Sequence, residues 1–304
     1  MLLLSFVILI LIHTVSYRST RKYASGQTDT IIPVRPAKPA RPADYLLICT
    51  AGLYAFVMLV LPVFTVLSEA FSRGVGFYLK ALTTGYALSS YAVSLLAVVI
   101  AVPAVTCFGI AASMLLSRFD FKGKRILSTL IDIPFSVSPV IAGLSFIMMF
   151  GRLGWAYPLT EALGIKIAFA LPGVVLATIF VIFPYVSREL VPTLSASGRT
   201  EEEAAAILGA GGLRILRSIS IPKMKWALGY GIVLATARAF GEFGAVSALS
   251  KTRGKTFTLP LEIDALYYAG SADSITEAFA LSSVMLLLAA AFLILKTILG
   301  EKKK

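Results

Sequence analysis

Charge is scarce in this sequence. Only 14% of its 304 residues are Asp, Glu, Lys or Arg, against 58% hydrophobic, and the mean hydropathy is +0.86. A soluble domain carries about a quarter charged residues, so the chain is read as an integral membrane protein. Cysteine and histidine are nearly missing: Cys49 and Cys107 sit in apolar runs, and His13 is the one histidine. That excludes a disulfide framework and leaves too few ligands for a metal centre. No Gly-x-x-x-x-Gly-Lys-Ser/Thr pattern occurs, so the chain has no phosphate loop of its own. No catalytic residue, cofactor or metal is expected, and the chain is read as not an enzyme. The net charge of +12 raises nucleic acid as a partner, but the cations gather in alternate loops, and none is expected.

What the sequence does hold is long apolar runs. The expected fold is all-α, a polytopic helical bundle with six core spans: Tyr45–Leu67, Tyr86–Leu116, Ile126–Phe150, Ile167–Val186, Trp226–Leu249 and Ala278–Leu299. Each is apolar on most faces, as a lipid-embedded helix is. Met1–Tyr17 is a shorter apolar run, followed rather than preceded by Arg18, Arg21 and Lys22. It is read as an extra membrane-inserted segment or an interfacial anchor, not a secretory signal. Pro33, Pro36, Pro39 and Pro42 then recur every third residue, which favours a polyproline II linker. The expected organisation is an N-terminal segment and basic linker over 1–44, a transmembrane domain over 45–299 and a basic tail over 300–304.

Between the fourth and fifth spans lies Glu201–Pro222, both amphipathic and charged. Thr200 is read as an N-cap, with Glu203 completing a capping box. Gly209, Gly211 and Gly212 break the helix, a second short helix starts at Leu213, and Pro222 stops it. With this hairpin placed inside, the loops on its side hold 20 Lys and Arg and those on the other side 7. Positive-inside bias agrees with that orientation.

The hairpin carries a resemblance. Glu203-Ala204-Ala205, three residues, Gly209, nine residues, then Ile219-x-Ile221-Pro222 resembles the EAA loop of ABC-importer permeases, with Ile221 where Leu is usual. The resemblance implies a cytoplasmic loop whose short coupling helix docks on an ATPase subunit, and Glu203, Ala204, Ala205, Gly209, Ile219 and Pro222 as the coupling residues.

Three charges fall inside the expected spans: Asp132, Arg238 and Glu242. An intramembrane charge is costly and points to function by default. Arg238 and Glu242 are four apart and can pair on one helix, as a packing device or as a source of positive potential along an anion path. Asp132 is read as a helix cap or loop anchor, or as part of transport. Pro134–Pro139 (PFSVSP) frees backbone groups that Ser136 and Ser138 are placed to satisfy, or else line a polar path.

Arg238–Ser247 (RAFGEFGAVS) resembles the corresponding segment of sulfate/thiosulfate permease subunits of the CysW type. Asp132–Gly143, Leu171–Pro184 and Thr258–Leu266 are similar to the same family. Molybdate and tungstate permeases share the EAA hairpin and a related Gly-Glu-Phe-Gly segment, and remain the alternative. The resemblance implies a multi-pass protein of the cell (inner) membrane. Its implied partners are a homologous CysT-type permease subunit, two copies of a cytoplasmic ATPase subunit, a periplasmic sulfate/thiosulfate-binding protein and the lipid bilayer. Ser136, Ser138, Arg238, Glu242 and Ser247 are the candidates for the anion path and its gating. A secondary transporter without an ATPase would need no such hairpin, and a scaffold no charges or paired prolines in mid-span.

Overall fold

The structure is a computed structural model that describes residues 42–303. Met1–Tyr17 and the prolines of the linker before Pro42 lie outside the described residues. The chain divides into two compact units, Met1–Ala55 and Phe56–Lys304. The described residues contain helices and connecting turns, with no strand among them.

The helices are α1 (Pro42–Ala70), α2 (Val75–Leu82), α3 (Gly85–Arg118), α4 (Lys124–Ser136), α5 (Pro139–Phe150), α6 (Tyr157–Ala162) and α7 (Leu171–Ala196). After these come α8 (Thr200–Ile207), α9 (Gly212–Ile215), a π turn over Leu216–Ser220, α10 (Ile221–Phe240), α11 (Gly244–Leu249), α12 (Leu259–Tyr268) and α13 (Ala272–Lys303). Pro42, placed in the linker by its spacing, already belongs to α1.

Four of the expected spans are single helices long and apolar enough to cross a membrane: Tyr45–Ala70, Gly85–Arg118, Leu171–Ala196 and Ala272–Gly300. A fifth forms if Lys124–Ser136 and Pro139–Phe150, bent by 106° at their junction, are taken as one broken span. The break falls at Val137, which is extended, and Ser138, which has polyproline-like angles (φ −59°, ψ 129°). Pro139 causes it, because a proline disfavours helical backbone in the residue before it. Pro134, by contrast, stays inside α4. The stretch Trp226–Leu249 is interrupted at residues 241–243, and α10 carries Lys223, Lys225 and Arg238. Neither α10 nor α11 alone is long and apolar enough to be a span.

The core sits where α3, α7 and α10 cross. Val98, Val102 and Val105 from α3 meet Ile182, Val186, Leu190 and Leu194 from α7, and Met224, Ala227, Ala235 and Ala239 from α10. Close approach needs small residues, the usual device between helices in lipid. A Cβ at Gly109 would stand 2.7 Å from Val186 Cγ1, so α3 can lie against α7 only with glycine there. A second cluster joins Ala97, Val174, Val181, Ala245, Val246, Leu249 and Leu261, which fixes α11 and α12 to α7.

Candidate functional site

The hairpin is built from its two ends. Thr200 is the first residue of α8 rather than its cap; the cap position is Arg199, and no side chain caps it. Glu203 is exposed on the first turn and closes no capping box, though the three carboxylates still sit where the helix dipole favours them. At the far end the glycine behaves as its position predicts. Gly209 has φ +82°; its N–H donates to the Ala206 carbonyl at 3.0 Å, and the Ala210 N–H donates to the Ala205 carbonyl at 2.9 Å. Those two bonds are a Schellman closure, which satisfies the last carbonyls of a helix and reverses the chain. Ala205 and Ala210 bracket the closure and are partly buried. The tip is apolar and bare: Ile207 and Leu208 are each 87% exposed and Leu213 71%.

Pro222 does not end the second helix, as its ring alone would predict. It is taken up in the first turn of α10 after the π turn, where the Ile221 N–H donates to the Leu216 carbonyl. The wider register lets the chain pass a residue that lacks an N–H and crowds the carbonyl four back. Ile219 is half-buried, Ile221 packs on the core formed by α3, α7 and α10, and Pro222 and Ala204 are exposed.

The carboxylate that ties the hairpin down is Glu202, one residue before the motif. Arg118 Nε lies 2.7 Å from Glu202 Oε2, and Arg118 Nη2 donates to Oε1 at 3.0 Å. Ser220 Oγ donates to Oε1 at 2.9 Å. Arg118 Nη1 also donates to the carbonyls of Leu194 (2.8 Å) and Ser197 (3.2 Å), and Arg199 Nη2 to that of Ser117 (2.8 Å). Glu201, more exposed, lies 3.1 Å from Lys223.

Arg238 and Glu242 do pair, Nη1 to Oε2 at 2.7 Å. Glu242 also acts on the backbone, because its Oε1 accepts from the Ala245 N–H at 2.7 Å and so caps the start of α11. That helix is laid on α5. A Cβ at Gly143 would stand 2.4 Å from the Ala245 carbonyl, and one at Gly244 3.0 Å from Pro139 Cβ. The Gly-Glu-Phe-Gly segment and the paired-proline segment therefore meet. Ser138 occupies the N-cap of α5 without a side-chain bond, so it does not satisfy the freed backbone. Ser136 is exposed at the last position of α4. Ser247 Oγ turns back to the Gly244 carbonyl at 2.8 Å. Asp132 caps nothing; it lies within α4 and lines a cavity of about 160 Å³ with Ser128, Ser187 and Arg188.

A further pair has no signature in spacing or in the spans. Glu262 on α12, 1% exposed, is gripped by Arg253 Nε at 2.9 and 3.0 Å. The Arg253 guanidinium lies 4.4 Å from the Tyr86 ring centre. The hydrogen bonds to Glu262 raise the Arg253 pKa above its ordinary value, against the opposing effect of burial. No group of three or more metal-ligating side chains occurs among the described residues.

Residues 105–304 match the family described as binding-protein-dependent transport system inner membrane component. Two relatives carry the name sulfate transport system permease protein CysW. The protein from Synechococcus elongatus is 46% identical over 71% of this chain and 76% of its own length. The one from Escherichia coli K12 is 42% identical over 76% and 79%. A solved bacterial alginate ABC transporter, in complex with an alginate-bound periplasmic protein, superposes with a TM-score of 0.68 over 86% of this chain and 95% of that one, at 14% identity. The likeness of fold and the extent of the sequence match place this chain in the binding-protein-dependent transport system inner membrane component family.

Proposed function

We propose that this chain is the membrane permease subunit of an ATP-driven importer that carries sulfate, with thiosulfate as a chemical neighbour, into the cytoplasm. The observation that carries the choice of anion is its identity, over most of its length, to relatives named sulfate permeases. Molybdate and tungstate are the competing anions of the same shape.

In this reading the hairpin is the coupling element. Glu203, Ala204, Ala205, Gly209, Ile219 and Pro222 shape it, and Ile207, Leu208 and Leu213 are the apolar tip that enters a groove on a separate ATPase subunit. Two ATPase subunits close on ATP and push the tips, and a rigid helix on a closed glycine turn passes on a rigid-body motion. A CysT-type permease completes the path, and a periplasmic binding protein delivers the anion. A dianion entering low dielectric loses much of its hydration. Arg238, still 31% exposed beside its fully buried partner Glu242, supplies positive potential without being so free that the anion cannot leave. Ser136, Ser138 and Ser247 supply hydroxyls near the junction of α4, α5 and α11.

The test is import of labelled sulfate into vesicles holding the four-subunit complex and its binding protein. Arg238→Leu is expected to cut import about tenfold or more, the loss of one charged hydrogen-bond donor, in a complex that still assembles. Normal import by that variant would make Arg238 a packing residue only. Competition by excess molybdate but not thiosulfate would reassign the cargo.

A further inference from the structure

Helix α8 has no buried residue of its own, and its packing is on α9 and the π turn. Between it and α3 lies an apolar cavity of about 740 Å³, lined by Ile110, Met114, Leu216 and Ile221 among others. A push on α8 therefore has little side-chain packing through which to reach the membrane helices. Its covalent links are a bend at Ser197–Arg199 on one side and the glycine closure on the other.

Side chains cross that gap: Arg199 reaches the Ser117 carbonyl of α3 and the more exposed Glu201 pairs with Lys223 of α10, but Glu202 alone is tied to more than one core helix. We propose that Glu202, rather than the motif carboxylate Glu203, carries the motion of the hairpin into the membrane domain, with Arg118 as its anchor; the inference rests on the coupling role proposed above. Glu202 and Arg118 are 11% and 6% exposed, so water screens the pair little. Glu202 is held by the last residue of α3 and by Ser220 of the π turn that leads into α10. Through Arg118 it is held to the last carbonyls of α7 as well. These are the three helices that form the core. The Nη2 hydrogen bond, the close ion pair at Nε and the Ser220 hydroxyl together hold the carboxylate from two sides, which a strut must do. Glu203 is exposed and also lines the apolar cavity, and it has no ion pair or side-chain hydrogen bond among the described residues.

Glu202 is thus a positioning residue, and its mark is efficiency, the sulfate imported per ATP hydrolysed. A defect of folding lowers both quantities in proportion to the complex present. A broken strut lets hydrolysis run without import. In vesicles holding the full complex, Glu202→Gln is expected to lower the ratio about tenfold and Ser220→Ala by a few fold, since bonds to charged groups are worth more than neutral ones. Glu201→Gln, the exposed neighbour, leaves it unchanged. Disulfide cross-linking from Leu208→Cys to the ATPase separates docking of the hairpin from transmission through the strut. Without that cross-link the coupling reading fails and this inference with it. With the cross-link formed and the ratio unaltered in Glu202→Gln and Ser220→Ala, the strut is refuted while the coupling reading stands. If Glu202→Gln does not assemble, Ser220→Ala decides by the same ratio.

Discussion

Each oxygen of Glu242 has one use, the Arg238 charge on one side and the Ala245 N–H on the other. The two uses can be separated. Glu242→Gln keeps an acceptor for the N–H and gives up the charge; Glu242→Ala gives up both. The alanine variant should be the less stable by about 1–2 kcal/mol, the loss of a buried hydrogen bond, read as thermal unfolding of the purified protein in detergent. Equal damage from both would mean that the ion pair, not the cap, holds α11. Arg253 and Glu262 pose the complementary case. Glu262 is buried and Arg253 is 38% exposed, so removing the arginine strands a buried carboxylate. Arg253→Leu should cost about 2–3 kcal/mol, below the usual 3–5 for a buried pair because its guanidinium is partly solvated. Glu262→Gln, which leaves a neutral acceptor in place, should cost less by the same measurement. If it costs more, the carboxylate charge itself is what the site needs.

At the scale of an element, glycine serves two unlike purposes. At Gly209 the requirement is dihedral: φ is +82° and a Cβ would meet nothing within 4 Å. Gly209→Ala should therefore cost only the left-handed penalty of about 1–2 kcal/mol, and Gly209→Asn less. At Gly143 the dihedral is ordinary, but a Cβ would press on the Ala245 carbonyl at 2.4 Å. Gly143→Ala must pull α5 off α11, so it should be the more destabilising of the two and should also slow import. Unfolding midpoints of the two variants, side by side, test the distinction; a harmless Gly143→Ala would break the contact between the two segments. The hairpin itself was legible because its closure depends on local features: a glycine after a run of helix formers. An interruption near Pro139 was legible because a proline acts on the residue before it, but its size was not: one of the two prolines stays within a helix and the bend at the other is 106°. The fate of Pro222 was not, since a π turn is a register change that composition does not announce. Nor was the Arg118–Glu202 pair, whose members stand 84 residues apart; two charges at the ends of different helices have no periodicity to reveal them.

For the whole molecule, the number of crossings fixes which side each loop faces, and the helices alone leave it open. Among the described residues four helices are long and apolar enough to cross, and the bent pair α4–α5 is either a broken span or a re-entrant loop. If it only dipped and returned, Arg152 and Lys166 would join the basic loop before it, and the hairpin with its cations would be carried to the opposite face. The count of 20 cations against 7 survives only if α4–α5 crosses and α10 crosses after it. α10 is long enough: its 20 residues rise about 30 Å. Its charges suit that course, with Lys223 and Lys225 at the start and Arg238, paired to Glu242, near the end. The orientation can be measured directly. Leu153, fully exposed between α5 and α6, and Leu208 at the hairpin tip are separated by α7 alone among the spanning helices. With Cys49 and Cys107 replaced by serine, Leu153→Cys should react with a membrane-impermeant maleimide from outside intact cells. Leu208→Cys should react only in inverted vesicles. Labelling of both from the same side would mean that α7 does not cross, and labelling of Leu208→Cys from outside would invert the molecule and separate its hairpin from any cytoplasmic ATPase.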